Sequence, residues 1–120
     1  MSRTGPTNYV LRKTIKVLRS YAYKYNANVW RYVADLLEKP ARKRIVVNLS
    51  KINRYTSESD IVIVPGKVLG AGKIDHKIIV AATAFSQQAI QKIKMAGGRV
   101  IHILELLQEN PQGSNVKVIT

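Results

Sequence analysis

The sequence predicts an α/β fold in which N-terminal helices are followed by a mixture of short strands and short helices. Apolar residues before position 40 recur at helical spacing, whereas those of the second half form short β-branched runs bounded by turn residues. At 120 residues the chain is expected to form one domain. We expect a flexible arm at 1–7, a basic, mostly helical half at 8–54 and a mixed α/β half at 55–120.

Charge is the strongest compositional signal. Lys and Arg total 20, Asp and Glu total 7, and the net charge is +13. Residues 1–54 carry 13 basic and 2 acidic side chains, whereas residues 55–120 carry 7 and 5. A self-repelling basic half is tolerated when a polyanion neutralises it, and nucleic acid is the usual polyanion. An anionic membrane surface is the second alternative, but no helix shows the wide apolar face that it requires.

Composition also excludes several classes of protein. The absence of cysteine rules out disulfides, thiolate-zinc sites and cysteine nucleophiles. No apolar run approaches the ~18 residues of a membrane span. The first six residues lack the apolar core of a secretory signal. We therefore expect an intracellular protein that has no membrane partner.

The first predicted helix has a buried face and a basic face. Thr7 or Asn8 is expected to cap its start. The apolar side recurs at helical spacing and comprises Leu11, Ile15, Leu18 and Ala22. Another side carries a basic stripe that ends in a tyrosine: Arg12, Lys16, Arg19 and Tyr23. Because no acidic residue is interleaved for pairing, we expect this stripe to contact phosphates.

A second helix is predicted after Asn26, with Asn28 as its cap. Its core positions are Trp30, Val33, Leu36 and Leu37. A lone Trp can stack on a base, but helical spacing and a large apolar area favour a core position. The Lys39-Pro40 pair is expected to end this helix.

The densest basic run, Ala41-Arg42-Lys43-Arg44, follows on a predicted loop, where it is free to meet phosphates. Residues 45–47 read as a strand. Asn48 or Ser50 is then expected to cap a single helical turn. That turn would bury Leu49, Ile52 and Tyr55 and expose Lys51 and Arg54.

A glycine-rich stretch lies at the centre of the second half. The apolar run Ile61–Val64 reaches Pro65-Gly66, and the run Gly70-Ala71-Gly72-Lys73 follows. Proline donates no ladder hydrogen bond, so we expect the strand to end there or to lie at an edge. The spacing matches neither a Walker loop nor a dinucleotide fingerprint. A tight turn is favoured, and a phosphate cradle flanked by Lys67 and Lys73 remains the alternative.

The remaining elements follow from short signals. Residues 78–82 predict a strand, and Ser86 is expected to cap a helix that ends at Gly97-Gly98 in left-handed geometry. Residues 100–101 and 116–119 predict two further strands. Residues 103–107 predict a short helix.

Three separated motifs resemble a known family. They are Val62–Gly72, the set Ala84-Phe85-Ser86 with Lys92-Ile93 and Ala96-Gly97-Gly98, and Asn110–Ser114 with Val116. In this order they are similar to the archaeal and eukaryotic large-subunit ribosomal protein family eighteen-e, the counterpart of bacterial large-subunit protein fifteen. The resemblance extends over nearly the whole chain.

The resemblance implies an irregular β-β-α superhelical core behind N-terminal helices. It implies a structural role on the cytoplasmic ribosome, with large-subunit ribosomal RNA and neighbouring large-subunit proteins as partners. It also implies no catalysis. We further expect no metal, no cofactor and no small-molecule substrate. The bacterial relative carries a long Gly- and Arg-rich N-terminal extension that penetrates the RNA. This chain begins almost directly with its first predicted helix, so surface contact through the basic half is expected here instead. A free nucleic-acid packaging or regulatory protein is the alternative function.

The motifs of the family assign no individual RNA contacts, so charge and exposure alone select the candidates. The predicted RNA-binding residues are Arg12, Lys13, Lys16, Arg19, Lys24, Arg31, Arg42, Lys43, Arg44, Lys51, Arg54, Lys67 and Lys73.

Overall fold

The computed structural model describes residues 9–39 and 44–120. Helices and strands alternate through most of this part of the chain, which confirms the α/β class and the N-terminal position of the first helices. The elements are α1 (Tyr9–Tyr25), α2 (Asn28–Leu37), β1 (Ile45–Asn48), α3 (Leu49–Tyr55), β2 (Asp60–Leu69), β3 (Ile78–Phe85), α4 (Gln87–Met95), β4 (Arg99–His102), α5 (Ile103–Glu109) and β5 (Val116–Val118). The predicted caps Thr7 and Asn8 lie outside the described residues.

The strands form one parallel sheet in the order β1-β2-β3-β4, and β5 also pairs with β2. Strand β3 takes one edge of β2, so β1 and β5 share the other edge. Strand β1 pairs with residues 66–69, whereas β5 pairs with residues 61–63. Strand β2 is therefore the central element of the fold.

Helices cover both faces of the sheet, as a parallel sheet requires. Helices α1, α2 and α5 pack on the face that carries Ile63, Ala81 and Ile101. Helices α3 and α4 pack on the opposite face, which carries Val62 and Val80. Because successive residues of β2 are buried in different layers, the strand reads in sequence as a continuous apolar run.

The expectation for Pro65 is wrong: β2 does not end there but continues to Leu69. Pro65 lies between the segments of β2 that pair with β5 and β1, and the register with β3 shifts between Val64 and Lys67. A bulge of this kind accommodates a residue without an N–H inside a strand. The next residue, Gly66, lies where β1 passes close to β2. A Cβ at this position would lie 2.0 Å from the carbonyl oxygen of Ile45, so only glycine fits.

Two of the predicted helix boundaries are confirmed, and two are corrected. The Ser86 hydroxyl accepts a hydrogen bond from the Ala89 amide, and Gly97 has a φ of +85°. Asn28 does not cap α2, because it is the first residue of that helix and its Oδ1 accepts a hydrogen bond from Arg31. Asn48 occupies the N-cap position of α3, but its Oδ1 accepts from the Ala71 amide instead.

Core predictions for the two large aromatic side chains have opposite outcomes. Trp30 is fully buried, which confirms a core position and excludes base stacking in this fold. Tyr55 was expected in the core with Leu49 and Ile52, but it is 55% exposed, whereas both neighbours are fully buried. Tyr55 is the last residue of the short helix α3, so its ring extends past the cluster that buries the other two.

Candidate nucleic-acid interface

Every carboxylate of the chain already has a partner within the described residues. Asp and Glu number seven, and their partners are Arg19 for Asp35 and Glu38, the Lys77 amide for Glu58, Lys117 for Asp60, His76 for Asp75, the His102 amide for Glu105 and Arg99 for Glu109. Arg19, Arg99 and Lys117 are thus the lysine and arginine side chains of the described chain that pair with carboxylates. The remaining lysines and arginines of the described residues form no ion pair with an Asp or Glu.

The first concentration of unpaired charge lies on α1. Thr14, Leu18 and Ala22 are buried, which places Arg12 and Lys16 on the outer side of the helix, where both are exposed. Lys13 is exposed as well, and Tyr23 is 87% exposed. The Thr14 hydroxyl donates to the Val10 carbonyl oxygen and so satisfies the buried polar group of this helix.

Arg19 differs from the rest of the predicted stripe. Its guanidinium lies 3.1 Å from Asp35 and also pairs with Glu38, so both acids of α2 converge on it. Helical spacing within α1 could not show this contact, because the acids come from the neighbouring helix. The side chain remains 41% exposed, and an exposed pair of this kind contributes little to stability.

Lys24 and Arg31 extend the same face of the molecule. The Lys24 ammonium lies 5.5 Å from the centroid of the Tyr25 ring, and Arg31 donates to Asn28 at 2.7 Å. Both side chains are exposed, so these contacts orient the cations without neutralising them.

Arg44 and Lys67 come together at the start of α1. Both are exposed and line an open recess of about 320 Å³, together with His102 and Thr83. Burial holds the pKa of His102 below its ordinary value of 6.5, and Glu105 partly opposes the shift. Arg42 and Lys43 lie outside the described residues, so their role stays a prediction.

Lys51 and Arg54 belong to the opposite face of the sheet, because α3 packs there. Lys51 donates to the carbonyl oxygen of Thr120 at 2.7 Å, and the Arg54 guanidinium lies 5.9 Å from the centroid of the Tyr55 ring. Both cations are exposed, as predicted. The predicted set therefore divides between two sides of the molecule and does not form one patch.

The geometry of the glycine loop favours the tight turn. Ser50 donates its amide to the Ala71 carbonyl oxygen at 3.0 Å, and the Ala71 amide donates to Asn48 at 3.3 Å. Gly72 has a φ of +94°, which explains its identity. Lys73 is exposed beside this turn.

Sequence reasoning missed Lys92, which holds the same loop from the other side. Its Nζ atom donates to the carbonyl oxygen of Gly70 at 2.8 Å and to that of Gly72 at 2.7 Å. The ammonium neutralises carbonyl dipoles that would repel a phosphate. The only sequence signal was a lysine one turn from the end of an amphipathic helix, which does not distinguish an internal contact from an exposed one.

One line of side chains has the order seen in hydrolase triads. Asp75 Oδ1 lies 2.9 Å from His76 Nδ1, and His76 Nε2 lies 2.7 Å from Thr56 Oγ1. The Thr56 hydroxyl also donates to the Ile52 carbonyl oxygen at 2.7 Å, so its single proton is directed at the backbone. This bond holds the hydroxyl against the last turn of α3. The line therefore ties residues 75–76 to the end of α3.

Hydrogen bonds with the side chains of His76 and Asn53 hold the pKa of Asp75 below its ordinary value.

No group of three or more metal-ligating side chains occurs among residues 9–39 and 44–120. No helix in the same ranges is long and apolar enough to cross a membrane.

These features define a small α/β protein whose surface carries uncompensated positive charge on both sides of a parallel sheet.

A family model described as ribosomal proteins 50S-L15, 50S-L18e and 60S-L27A matches residues 28–101. The large ribosomal subunit protein eL18 of Pyrobaculum aerophilum is 47% identical over 97% of this chain and 95% of its own length. The eL18 protein of Methanococcus maripaludis is 44% identical over 99% of this chain and 99% of its own length. The eL18 protein of Methanopyrus kandleri is 48% identical over 97% of this chain and 95% of its own length. The chain belongs to this family of large-subunit ribosomal proteins, which confirms the resemblance given above.

Proposed function

We propose that this chain is a structural constituent of the large ribosomal subunit that binds and stabilises ribosomal RNA through its basic surface. The observation that carries the proposal is that Arg19, Arg99 and Lys117 alone among the lysines and arginines of the described residues pair with an Asp or Glu, which leaves the other cations without an ion-pair partner. A polyanion would supply that charge, and membership of the ribosomal family supports ribosomal RNA as the polyanion.

In this proposal the residues on α1 make the first contacts. Arg12, Lys13 and Lys16 are exposed, and the carboxylates that approach α1 are both held by Arg19. Lysine and arginine gain affinity by displacing the counterions that surround phosphates. Specificity comes from the shape of the folded RNA, because side chains cannot read the deep, narrow major groove of an A-form helix.

The remaining predicted residues widen the surface around α1 and on the opposite side of the sheet. They are Lys24, Arg31, Arg42, Lys43, Arg44, Lys51, Arg54, Lys67 and Lys73, with Arg19 in a secondary role because its charge is already compensated. Neighbouring large-subunit proteins are further partners, on the cytoplasmic ribosome. The proposed role requires no cofactor, no small-molecule substrate and no catalysis.

Sedimentation from a native lysate tests the proposal. The protein should migrate with large ribosomal subunits and stay with them through a wash at moderate salt. A protein that remains at the top of the gradient, or that leaves the subunit while binding unrelated RNA equally well, would instead be a free packaging or regulatory protein.

A further inference from the structure

The end of α3 presents an aromatic ring to solvent. Tyr55 is 55% exposed although helical spacing places it with two fully buried residues, Leu49 and Ile52. Its carbonyl oxygen accepts a hydrogen bond from Lys117 at 3.4 Å. The ring therefore extends from the end of a helix whose other large apolar side chains are buried.

A recess of about 390 Å³ opens beside this ring, between α3 and β5. Tyr55 forms one wall, and the half-buried Val118 and the buried Ile119 supply apolar surface. Lys51 and Lys117 line the recess as well. The volume lies within the range of roughly 300–1,000 Å³ that is typical of small-ligand sites.

The charge around the recess is unevenly compensated. Lys117 lies 2.8 Å from Asp60 and so carries little free charge, and this contact lowers the pKa of Asp60. Lys51 donates to the backbone oxygen of Thr120 and forms no ion pair with an Asp or Glu of the described residues, and Arg54 lies over the Tyr55 ring. The recess is thus lined by the exposed Lys51 beside an aromatic wall and an apolar floor, and the exposed Arg54 lies next to that wall.

We propose that this recess binds one unpaired nucleotide of RNA, with its base stacked on Tyr55 and its phosphate held by Lys51 and Arg54. The inference rests on the proposed function and adds a specific site to it, on the side of the sheet opposite α1. A flat ring meets the face of a base, whereas the exposed cations meet its backbone.

The bound nucleotide must be unpaired, because the faces of bases are covered inside an A-form helix. A loop or bulge of the ribosomal RNA presents such a base. The combination of an aromatic ring with excess positive charge favours this ligand over a segment of another protein, since protein interfaces are depleted of lysine at their cores.

A ten-nucleotide single-stranded RNA that contains 2-aminopurine tests the proposal, because stacking quenches the fluorescence of that base. The wild-type protein should quench it, and Tyr55→Phe should behave in the same way. Tyr55→Leu should lose the quenching and bind roughly 5- to 150-fold more weakly, the range that base–aromatic stacking supplies. Tyr32→Leu removes a tyrosine of α2 that is 51% exposed, close to the exposure of Tyr55, and is the matched control, which should quench normally.

A second measurement does not depend on variants. Wild-type protein cross-linked to the same RNA carrying 4-thiouridine should yield adducts on the peptide that contains Tyr55. Quenching that survives in Tyr55→Leu, or adducts confined to α1, would overturn the proposal even if ribosomal RNA binds normally. Loss of a neighbouring ribosomal protein from Tyr55→Leu particles, with RNA binding unchanged, would also overturn it by showing a protein occupant. Failure of the wild-type protein to bind ribosomal RNA would refute the proposed function itself.

Discussion

The indole Nε1 of Trp30 donates a hydrogen bond to the carbonyl oxygen of Pro111 across 2.8 Å, although 81 positions separate the two residues. This bond joins α2 to the loop before β5. Gly113 completes the contact, since a Cβ there would lie 2.5 Å from Val29 and 3.3 Å from the Trp30 ring. The basic helical half and the mixed half are thus packed against each other through a specific polar contact.

We therefore predict that the protein unfolds as one cooperative unit. Replacing Trp30 with Phe removes the donor and leaves space, so the free energy of unfolding should fall by about 1–3 kcal/mol. Thermal melts followed by circular dichroism at helical wavelengths and by near-ultraviolet signals should coincide in both proteins. Two separated transitions would contradict the expectation of a single domain.

The contact of Lys92 with the glycine loop predicts that replacing Lys92 lowers the free energy of unfolding, whereas replacing Lys94 on the same helix does not. Lys92→Met keeps the apolar stem but removes the donor to Gly70 and Gly72, and it should cost about 1–2 kcal/mol. Lys94→Met changes an exposed lysine of the same helix and should stay within about 0.5 kcal/mol of the wild type. Denaturant unfolding measures both, and equal effects would exclude a structural role for Lys92.

The two glycines of the loop should respond differently to a side chain. Gly72 has a φ of +94°, and a Cβ there would lie 2.5 Å from the Cβ of Ser50 and 2.7 Å from its amide nitrogen. Backbone strain alone costs on the order of 1–3 kcal/mol. Gly70 has no positive φ and would meet the side chain of Gln88. Gly72→Ala should therefore lower the melting temperature more than Gly70→Ala, and the reverse order would contradict this account.

His102 predicts a dependence of stability on pH. Its Nδ1 accepts a hydrogen bond from the Leu104 amide at 3.1 Å, which requires an unprotonated nitrogen, and burial lowers its pKa. The unfolded chain therefore takes up the proton more readily than the folded chain. Stability should fall as the pH decreases through about 6.5. His102→Asn keeps a side-chain acceptor, so its free energy of unfolding should vary less between pH 7 and pH 5. An unchanged pH profile would refute the assignment.

Local signals predicted most of the fold. Helical spacing located α1 and α2, and the Ser86 cap and the Gly97-Gly98 end located α4. The prediction that β2 ends at Pro65 was wrong because a strand can continue through a proline where no neighbouring strand needs its N–H. The pairing of β1 and β5 on either side of Pro65 depends on tertiary structure, and the local sequence does not show it.

The candidate site was less predictable for the same reason. Exposure of Lys13 and Lys16 followed from the amphipathic pattern of α1. The pairing of Arg19 with two acids of α2, the contact of Lys92 with loop carbonyls and the exposure of Tyr55 all depend on tertiary packing. Charge in the sequence therefore predicted the kind of partner, whereas packing decides which cations are free to meet it.

The salt dependence of binding to large-subunit ribosomal RNA tests the central claim most directly. For about six phosphate contacts the log–log slope should be on the order of −4 to −5. Arg12→Ala combined with Lys16→Ala should weaken binding and make the slope less steep by about 1.4–1.8. Arg99→Ala removes an exposed arginine that Glu109 already neutralises, so it should leave the slope nearly unchanged. A slope near zero, or a slope that the double variant does not alter, would contradict phosphate binding by α1.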